Sequence, residues 1–376
     1  MNNISRRRFA HLLGAGAAFA AARPALSLAK PPLTALPAGS VVRLSSNENP
    51  FGPSPKARKA MTDAFEFACR YPDDHAEELV AMLAKQDEVS PEQVLLGAGS
   101  SEILEICAIA FTGRGAERSG AGDTLVVADP TFELIARHAS FHGAEVVKIP
   151  LTSSYAHDLP QMAAAAKGGL IYVCNPNNPT ASLTPKNDVR ELINTAPRET
   201  MILVDEAYHH YVESPDYESV IPLVKDHPNL IVARTFSKIY GMAGLRCGYC
   251  VAQPEVLERL RPLQSSDSVN IMALAAGLGS LRDPEQVAKN RQLNAQTRAM
   301  VMRELKAMGY PSIASEANFV MTDVKRPVPP LIAAMKDRKV QIGRLFPSLP
   351  NHMRLTIGKE AEMKAFLSAF RQVAAA

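Results

Sequence analysis

The sequence predicts an α/β protein: a large domain with a mostly parallel seven-stranded sheet flanked by helices, and a smaller α+β domain beside it. Three observations carry this. The 376 residues exceed the ~250 to 300 at which a single core stops growing. From about residue 92, short apolar runs alternate with amphipathic stretches, the pattern of parallel strands joined by crossover helices. The polar motifs fall just after those runs, where open parallel sheets hold ligands outside the carboxyl ends of their strands.

The chain opens differently from the rest. Arg6, Arg7 and Arg8 precede an apolar, Ala/Gly-rich run from Phe9 to Ala22, and Ser27-Leu28-Ala29 places small residues at the usual cleavage positions, so residues 1–29 read as an export signal. The form Ser5-Arg6-Arg7-Arg8-Phe9 resembles the twin-arginine signal, which implies a periplasmic or exported protein carried across the membrane already folded with its cofactor. Its apolar stretch falls short of the ~20 residues that span a bilayer, so no permanent span is expected. Residues 30–40, with Pro31, Pro32 and Pro37, read as a linker.

Seven strands are expected: Val94–Gly97, Thr124–Ala128, Glu145–Ile149, Leu170–Cys174, Met201–Val204, Leu230–Ala233 and Gly248–Ala252. The first runs into Gly99-Ser100-Ser101 and then an amphipathic helix from Glu102 to Phe111. After Val269 the pattern becomes helices with short strands at Ala317–Thr322 and Arg354–Ile357. Residues 66–268 are therefore assigned to the large domain, and residues 41–65 with 269–376 to the small one.

Composition narrows the function. With 47% hydrophobic and 21% charged residues the chain is an ordinary globular protein, and a net charge of +3 does not make a polyanion-binding surface, so no nucleic-acid partner is expected. No repeat of 20 to 50 residues is present. Five cysteines, Cys69, Cys107, Cys174, Cys247 and Cys250, are an odd number spread through apolar segments, not a disulfide framework. Cys247 and Cys250 make a C-x-x-C inside a strand-like segment with no second pair to complete a metal site, so buried packing is expected and no metal.

The strand ends carry the chemistry. Lys238 follows Thr235-Phe236-Ser237 with Gly241, Gly244 and Arg246 behind it, Asp205 follows another run, and Gly99 and Ser100 open a helix, where dipole and unpaired N–H groups favour an anion. A lysine, an acid, a cup for a phosphate and an arginine suited to a carboxylate are what amino transfer through pyridoxal phosphate requires.

Seven segments in order then carry a resemblance: Ser46-Asn47-Glu48-Asn49-Pro50-Phe51-Gly52-Pro53, Arg70-Tyr71-Pro72-Asp73, Gly97 to Glu102, Asn175-Pro176-Asn177-Asn178-Pro179-Thr180, Asp205-Glu206-Ala207-Tyr208, the Lys238 segment, and Met353-Arg354-Leu355-Thr356-Ile357-Gly358. From about Arg43 onward the chain resembles the class I/II aminotransferases of fold type I, and among them the histidinol-phosphate aminotransferases.

The resemblance implies roles residue by residue. Lys238 would carry pyridoxal phosphate as an aldimine and then act as the base at the substrate's α-carbon, in a ping-pong cycle between an amino acid or related amine and a 2-oxo acid. Its pKa must fall from ~10.4, which the protonated ring and Arg246 would bring about. Asp205 would hold the pyridine nitrogen protonated, although a carboxylate there also suits a helix cap. Tyr208 and Asn178 would bond the ring hydroxyl, and Phe132 would stack on the ring or simply fill core. Gly99, Ser100, Ser101, Thr235, Ser237 and Arg246 would hold the phosphate, with Tyr71 reaching it from the second subunit of a homodimer. Arg354 would grip the α-carboxylate, and Asn49 would lie on a substrate-facing loop. Arg344 fits either a grip on a substrate phosphate or a surface or interdomain salt bridge.

Two features depart from the family. Ala181 stands where a glycine usually follows Asn-Pro-Thr, which constrains that turn. An export signal does not suit histidine biosynthesis, a cytoplasmic task, and points to another substrate. A racemase, carbon-sulfur lyase or decarboxylase on the same scaffold, or a non-catalytic binding protein, are the alternative readings.

Overall fold

Every one of the seven expected runs becomes a strand of one sheet. The computed structural model describes residues 40–113 and 124–374. The expected signal and all but the last residue of the linker lie outside them. The strands are β2 (Val94–Gly97), β3 (Thr124–Asp129), β4 (Glu145–Pro150), β5 (Leu170–Cys174), β6 (Met201–Asp205), β7 (Leu230–Thr235) and β8 (Gly248–Val251), after a short β1 at Val42–Arg43. Their order is β2-β8-β7-β6-β5-β3-β4. All pairs are parallel except those of β8, which runs antiparallel to both β2 and β7.

Strands β5, β6 and β7 are buried at every position, because helices cover both faces of a parallel sheet. Alternation divides their side chains between two cores. Ile171, Val173, Ile202, Val204 and Val232 enter one, while Leu170, Tyr172, Leu203, Ile231 and Ala233 enter the other. Edge strand β4 is only partly buried. Helix α1 (Pro55–Ala64) and helix α2 (Asp73–Asp87) precede the sheet, and helix α3 (Ser100–Phe111) follows β2. The crossovers then run through helices at Leu134–Phe141, Leu159–Ala165 and Lys186–Thr195.

Strands β3, β4, β6 and β7 extend one or two residues beyond the sequence expectation, and those of β6 and β7 matter. Asp205 and Thr235 become the last residues of ladders: Asp205 is registered against both Cys174 and Ala233, and Thr235 against Gly248. Inside the sheet, Arg234 spans from Glu206 at 2.8 Å to Asp87 of α2 at 2.7 Å, and Tyr249 donates to Asp87 at 2.8 Å. All of these side chains are buried, and removing the guanidinium from two buried carboxylates costs about 3–5 kcal/mol. The network locks the end of β6 to β7 and α2.

The C-terminal region supplies β9 (Phe319–Asp323), antiparallel to β11 (His352–Thr356), while β10 (Val340–Gln341) pairs parallel with β1. The chain following β1 is stitched onto β11. Thr356 N–H donates to Leu44 O at 3.0 Å, and Asn47 N–H donates to Thr356 Oγ1 at 2.9 Å. That stitching brings residues 45–47 to the ends of β6 and β7.

Two expectations change here. Cys69 is exposed, whereas Cys107, Cys174, Cys247 and Cys250 are buried free thiols; Cys69 sits between surface elements, where its sulfur has no core to enter. Ala181 does more than constrain its turn mildly: it is fully buried at φ 61°, a left-handed conformation that costs an alanine about 1–2 kcal/mol. Its N–H closes the turn on Asn177 O at 2.8 Å.

Candidate active site

The strand ends open into a cavity of about 640 Å³ whose wall includes Asp205, Tyr208, Lys238, Arg246, Arg344 and Arg354. Asp205 lies at its floor, 2% exposed. One carboxylate oxygen accepts the Ala207 N–H at 3.0 Å and the other the Tyr172 hydroxyl at 2.9 Å. Burial pushes its pKa up to about 6, against the pull of Tyr172, the Ala207 N–H and Lys238. The helix-cap alternative is partly met as well, since the Ala207 bond caps the turn that leaves β6.

Lys238 lies three residues past β7. Its Nζ donates to Asn47 O at 3.2 Å and stands 5.3 Å from the centre of the Tyr208 ring. Burial, and after it the positive charge of Arg354, bring its pKa down to about 8, opposed by Asp205 and Glu48. The sequence reading credited Arg246 and the ring. Among the chain's own groups burial and Arg354 are the larger causes, and Arg246 contributes less.

Tyr208 is buried, accepts a hydrogen bond from Asn47 Nδ2 at 3.2 Å and packs edge-on against Phe319; burial keeps its phenol protonated. Asn178 gives its carbonyl oxygen to Arg354 at 2.8 Å, which leaves its NH₂ as a donor. Arg354, in the middle of β11, also donates to Ser45 O at 2.7 Å. Its buried Nε has no partner, and it has no carboxylate partner among the described residues. A guanidinium held this way waits for an acceptor.

At the other end lies an anion cup. Helix α3 starts from Gly99 with no side-chain cap. Arg246 arches over this start, donating to Ser101 Oγ at 3.1 Å, Ala98 O at 3.2 Å and Ala243 O at 3.0 Å, with a longer bond to Ser237 Oγ at 3.4 Å. Gly99 has φ 76°, and a Cβ there would collide with the Arg246 guanidinium. Only glycine lets that arginine sit so close to the helix start. Thr235 donates to Ser237 Oγ at 2.9 Å, and both line the same wall with Ser100 and Ser101.

The cavity thus gathers four cationic side chains, Lys238, Arg246, Arg344 and Arg354, against the single carboxylate of Asp205. An anionic ligand is what completes it. Pyridoxal phosphate fits: the cup suits its phosphate, Asp205 its ring nitrogen, and Lys238 lies on the same wall.

Other expected residues divide. Phe132 lines the cavity while packing against the core of one sheet face. Arg344 is on the wall and is also ion-paired with Glu133 at 2.7 Å. Tyr71 is 81% exposed and takes no part in this chain's own cavity wall. Asn49 does not come to the cavity. Its amide donates to Ile239 O at 2.8 Å and accepts the Phe51 N–H at 3.1 Å, so both of its polar groups serve the backbone. Asn47, two residues earlier, holds the cavity position instead.

Sequence reasoning passed over Tyr172. The signal was there: a hydroxyl in an otherwise aliphatic, fully buried strand must find a partner. Register places Cys174, two residues on, opposite Asp205.

Residues 39–370 match the family profile described as "Aminotransferase class I and II". The chain belongs to the class I and II aminotransferases. It is 38% identical over 336 residues to a histidinol-phosphate aminotransferase of Symbiobacterium thermophilum, covering 88% of this chain and 90% of that one. A second, from Caldicellulosiruptor saccharolyticus, is 34% identical and matches 89% of this chain and 92% of its own. The structure of histidinol-phosphate aminotransferase from Sinorhizobium meliloti in complex with pyridoxal-5'-phosphate superposes with a TM-score of 0.82 at 26% identity, covering 89% and 91% of the two chains. This chain is a pyridoxal-phosphate-dependent aminotransferase with the fold of those enzymes.

Tyr172 opposes the burial of Asp205. In this aminotransferase Tyr172→Phe should therefore raise the carboxyl pKa and move the acid limb of the kcat profile up by about one pH unit, with KM little changed. A pH profile of the two proteins decides it; coincident acid limbs would remove Tyr172 from the chemistry.

Proposed function

We propose that this aminotransferase exchanges amino groups between an amino acid or related amine and a 2-oxo acid in a ping-pong cycle, with a substrate whose side chain bears a carboxylate or phosphate. One observation carries the substrate class: three arginines face one carboxylate in the cavity. Arg246 is committed to the cup and Arg354 to the α-carboxylate, which leaves Arg344 for the side chain. The similarity to enzymes named for a phosphorylated substrate supports the same reading.

The chain's residues divide the work. Gly99, Ser100, Ser101, Thr235, Ser237 and Arg246 would hold the cofactor's phosphate, Asp205 its ring nitrogen, and Tyr208 with Asn178 its ring hydroxyl, with Phe132 against the ring. Pyridoxal phosphate, when bound, supplies the electron sink that lets the substrate's α-proton leave. Lys238 takes that proton and returns it. With a pKa of about 8, roughly a tenth of its amine is neutral at pH 7. Arg354 orients the substrate, its unpartnered Nε giving a third N–H beside the two already placed.

A panel of amino donors assayed on the wild type and on Arg344→Ala tests the substrate class. Donors with acidic or phosphorylated side chains should lose about 10- to 100-fold in kcat/KM, and small neutral donors little. A uniform loss across the panel, or none, would defeat the assignment.

The active unit proposed is a homodimer in which Tyr71 reaches the neighbour's phosphate cup. Its support is an exposed aromatic strip: Phe65, Phe67 and Tyr71 are 67%, 45% and 81% exposed, unusual for rings of that size. Mixing Tyr71→Ala with Lys238→Ala chains should restore about a quarter of wild-type activity through heterodimers with one intact site. Activity no greater than the sum of the two variants would refute it.

The N-terminal pattern supports export to the periplasm by the twin-arginine route, with a substrate found there. Cell fractionation should place the intact chain in the periplasm and an Arg6→Lys, Arg7→Lys chain in the cytoplasm; identical distribution would refute the signal.

A further inference from the structure

Arg344 already has partners on the cavity wall. Its Nη2 donates to Glu133 at 2.7 Å, Nη1 donates to Leu345 O at 2.9 Å, and the guanidinium lies 4.3 Å over the Phe346 ring. Glu133 directly follows Phe132 on the cavity wall and opens the helix at Leu134–Phe141. It lines a second cavity of about 290 Å³, with Phe346 on that side too. The ion pair thus stands between two cavities, where substrate side chains would end.

Three properties make this pair exchangeable rather than fixed. Both side chains are about half exposed, 53% and 44%, and such a pair contributes only about 0–1 kcal/mol. Glu133 has a second cation in Arg137, 3.9 Å away, so its charge stays compensated if Arg344 turns to another anion. The loop carrying Arg344 is pinned separately, Ser348 donating to Asp129 at 2.8 Å, so the guanidinium can change partner while its backbone stays in place. Around it the cavity wall is apolar, with Phe132, Ile332 and Ile342.

We propose that Glu133 is a specificity-determining residue: the resident counter-ion of Arg344, which neutralises it when the substrate's side chain is uncharged and cedes it when that side chain is anionic. This rests on the reading of Arg344 as the side-chain grip. It answers a problem set by ping-pong transfer, in which one cavity takes two different amino compounds in turn. An anionic side chain displaces Glu133 and pairs with Arg344. A neutral aromatic or aliphatic side chain meets Phe132, Ile332 and Ile342 beside an ion pair instead of a bare cation, and so avoids leaving a charge unpaired beside apolar surface.

The test uses Glu133→Gln, which keeps the shape and removes the charge, in the cofactor-loaded enzyme. Dissociation constants are measured for two unreactive ligands, succinate and 3-phenylpropionate, and KM for an acidic and an aromatic donor. Succinate should bind about 3- to 10-fold more tightly to the variant and 3-phenylpropionate more weakly by a similar factor, with KM following and kcat unchanged. In an Arg344→Ala background the same substitution should leave the ratio of the two constants unchanged, because the charge it competes for is gone. Equal shifts for both ligands, or a change confined to kcat, would reduce Glu133 to a structural role and overturn the proposal. If Arg344→Ala leaves succinate binding unaltered, the reading of Arg344 falls and takes the inference with it. If Arg344→Ala weakens succinate while Glu133→Gln does nothing, only the inference falls.

Discussion

Asp205 ends β6 with its carboxylate buried, and burial alone drives a carboxylic acid toward neutrality. Much of the surrounding architecture opposes that drive. Two ladder neighbours fix the backbone of Asp205, Tyr172 and the Ala207 N–H donate one to each oxygen, and Lys238 adds a positive charge from the next strand end. Glu206, the adjacent residue, still pushes the Asp205 carboxyl up, though less than burial does, and its own charge is paired with Arg234. Pairing of Glu206 with Arg234 is thus what offsets the cost of two successive acids at a strand end.

The same accounting explains what could be read from the sequence. A parallel strand covered on both faces is an unbroken apolar run, which made β3, β5, β6 and β7 visible, while β2, β4 and β8 were visible as short β-rich runs bounded by turn residues. Strand direction was not, and Gly248–Val251 gives no sign that β8 runs antiparallel. Lys238, Asp205 and Arg246 were legible because each is a charged residue at or beside a strand end, whereas Arg354, in the middle of β11, was legible only through the family motif around it. Asn49 and Asn47 were harder. Both are asparagines in one extended segment, and only the hydrogen bonds of Asn49 to Ile239 O and the Phe51 N–H show which was consumed by the backbone. Arg344 was left between a ligand grip and a salt bridge, and the structure shows why the sequence could not choose. The ion pair with Glu133 spans 211 residues of chain, and both readings concern one guanidinium.

Electrostatics also tie the site to the folding of the chain. The chain's own groups raise Asp205 to about 6 and lower Lys238 to about 8. The Asp205 cost enters as pH rises from ~4, its unfolded value, through 6. The Lys238 cost is present below 8 and disappears as pH rises from 8 to ~10.4. Near neutrality both costs are therefore present together, and the unpartnered Nε of Arg354 adds a third. An anionic ligand that satisfies these groups binds only the folded chain, so its binding energy stabilises the fold. Loading and folding are thereby coupled. The proposed twin-arginine route moves proteins that are already folded, and it suits such a site: a chain that crossed unfolded would have to assemble five mismatched charges around a cofactor it had yet to find.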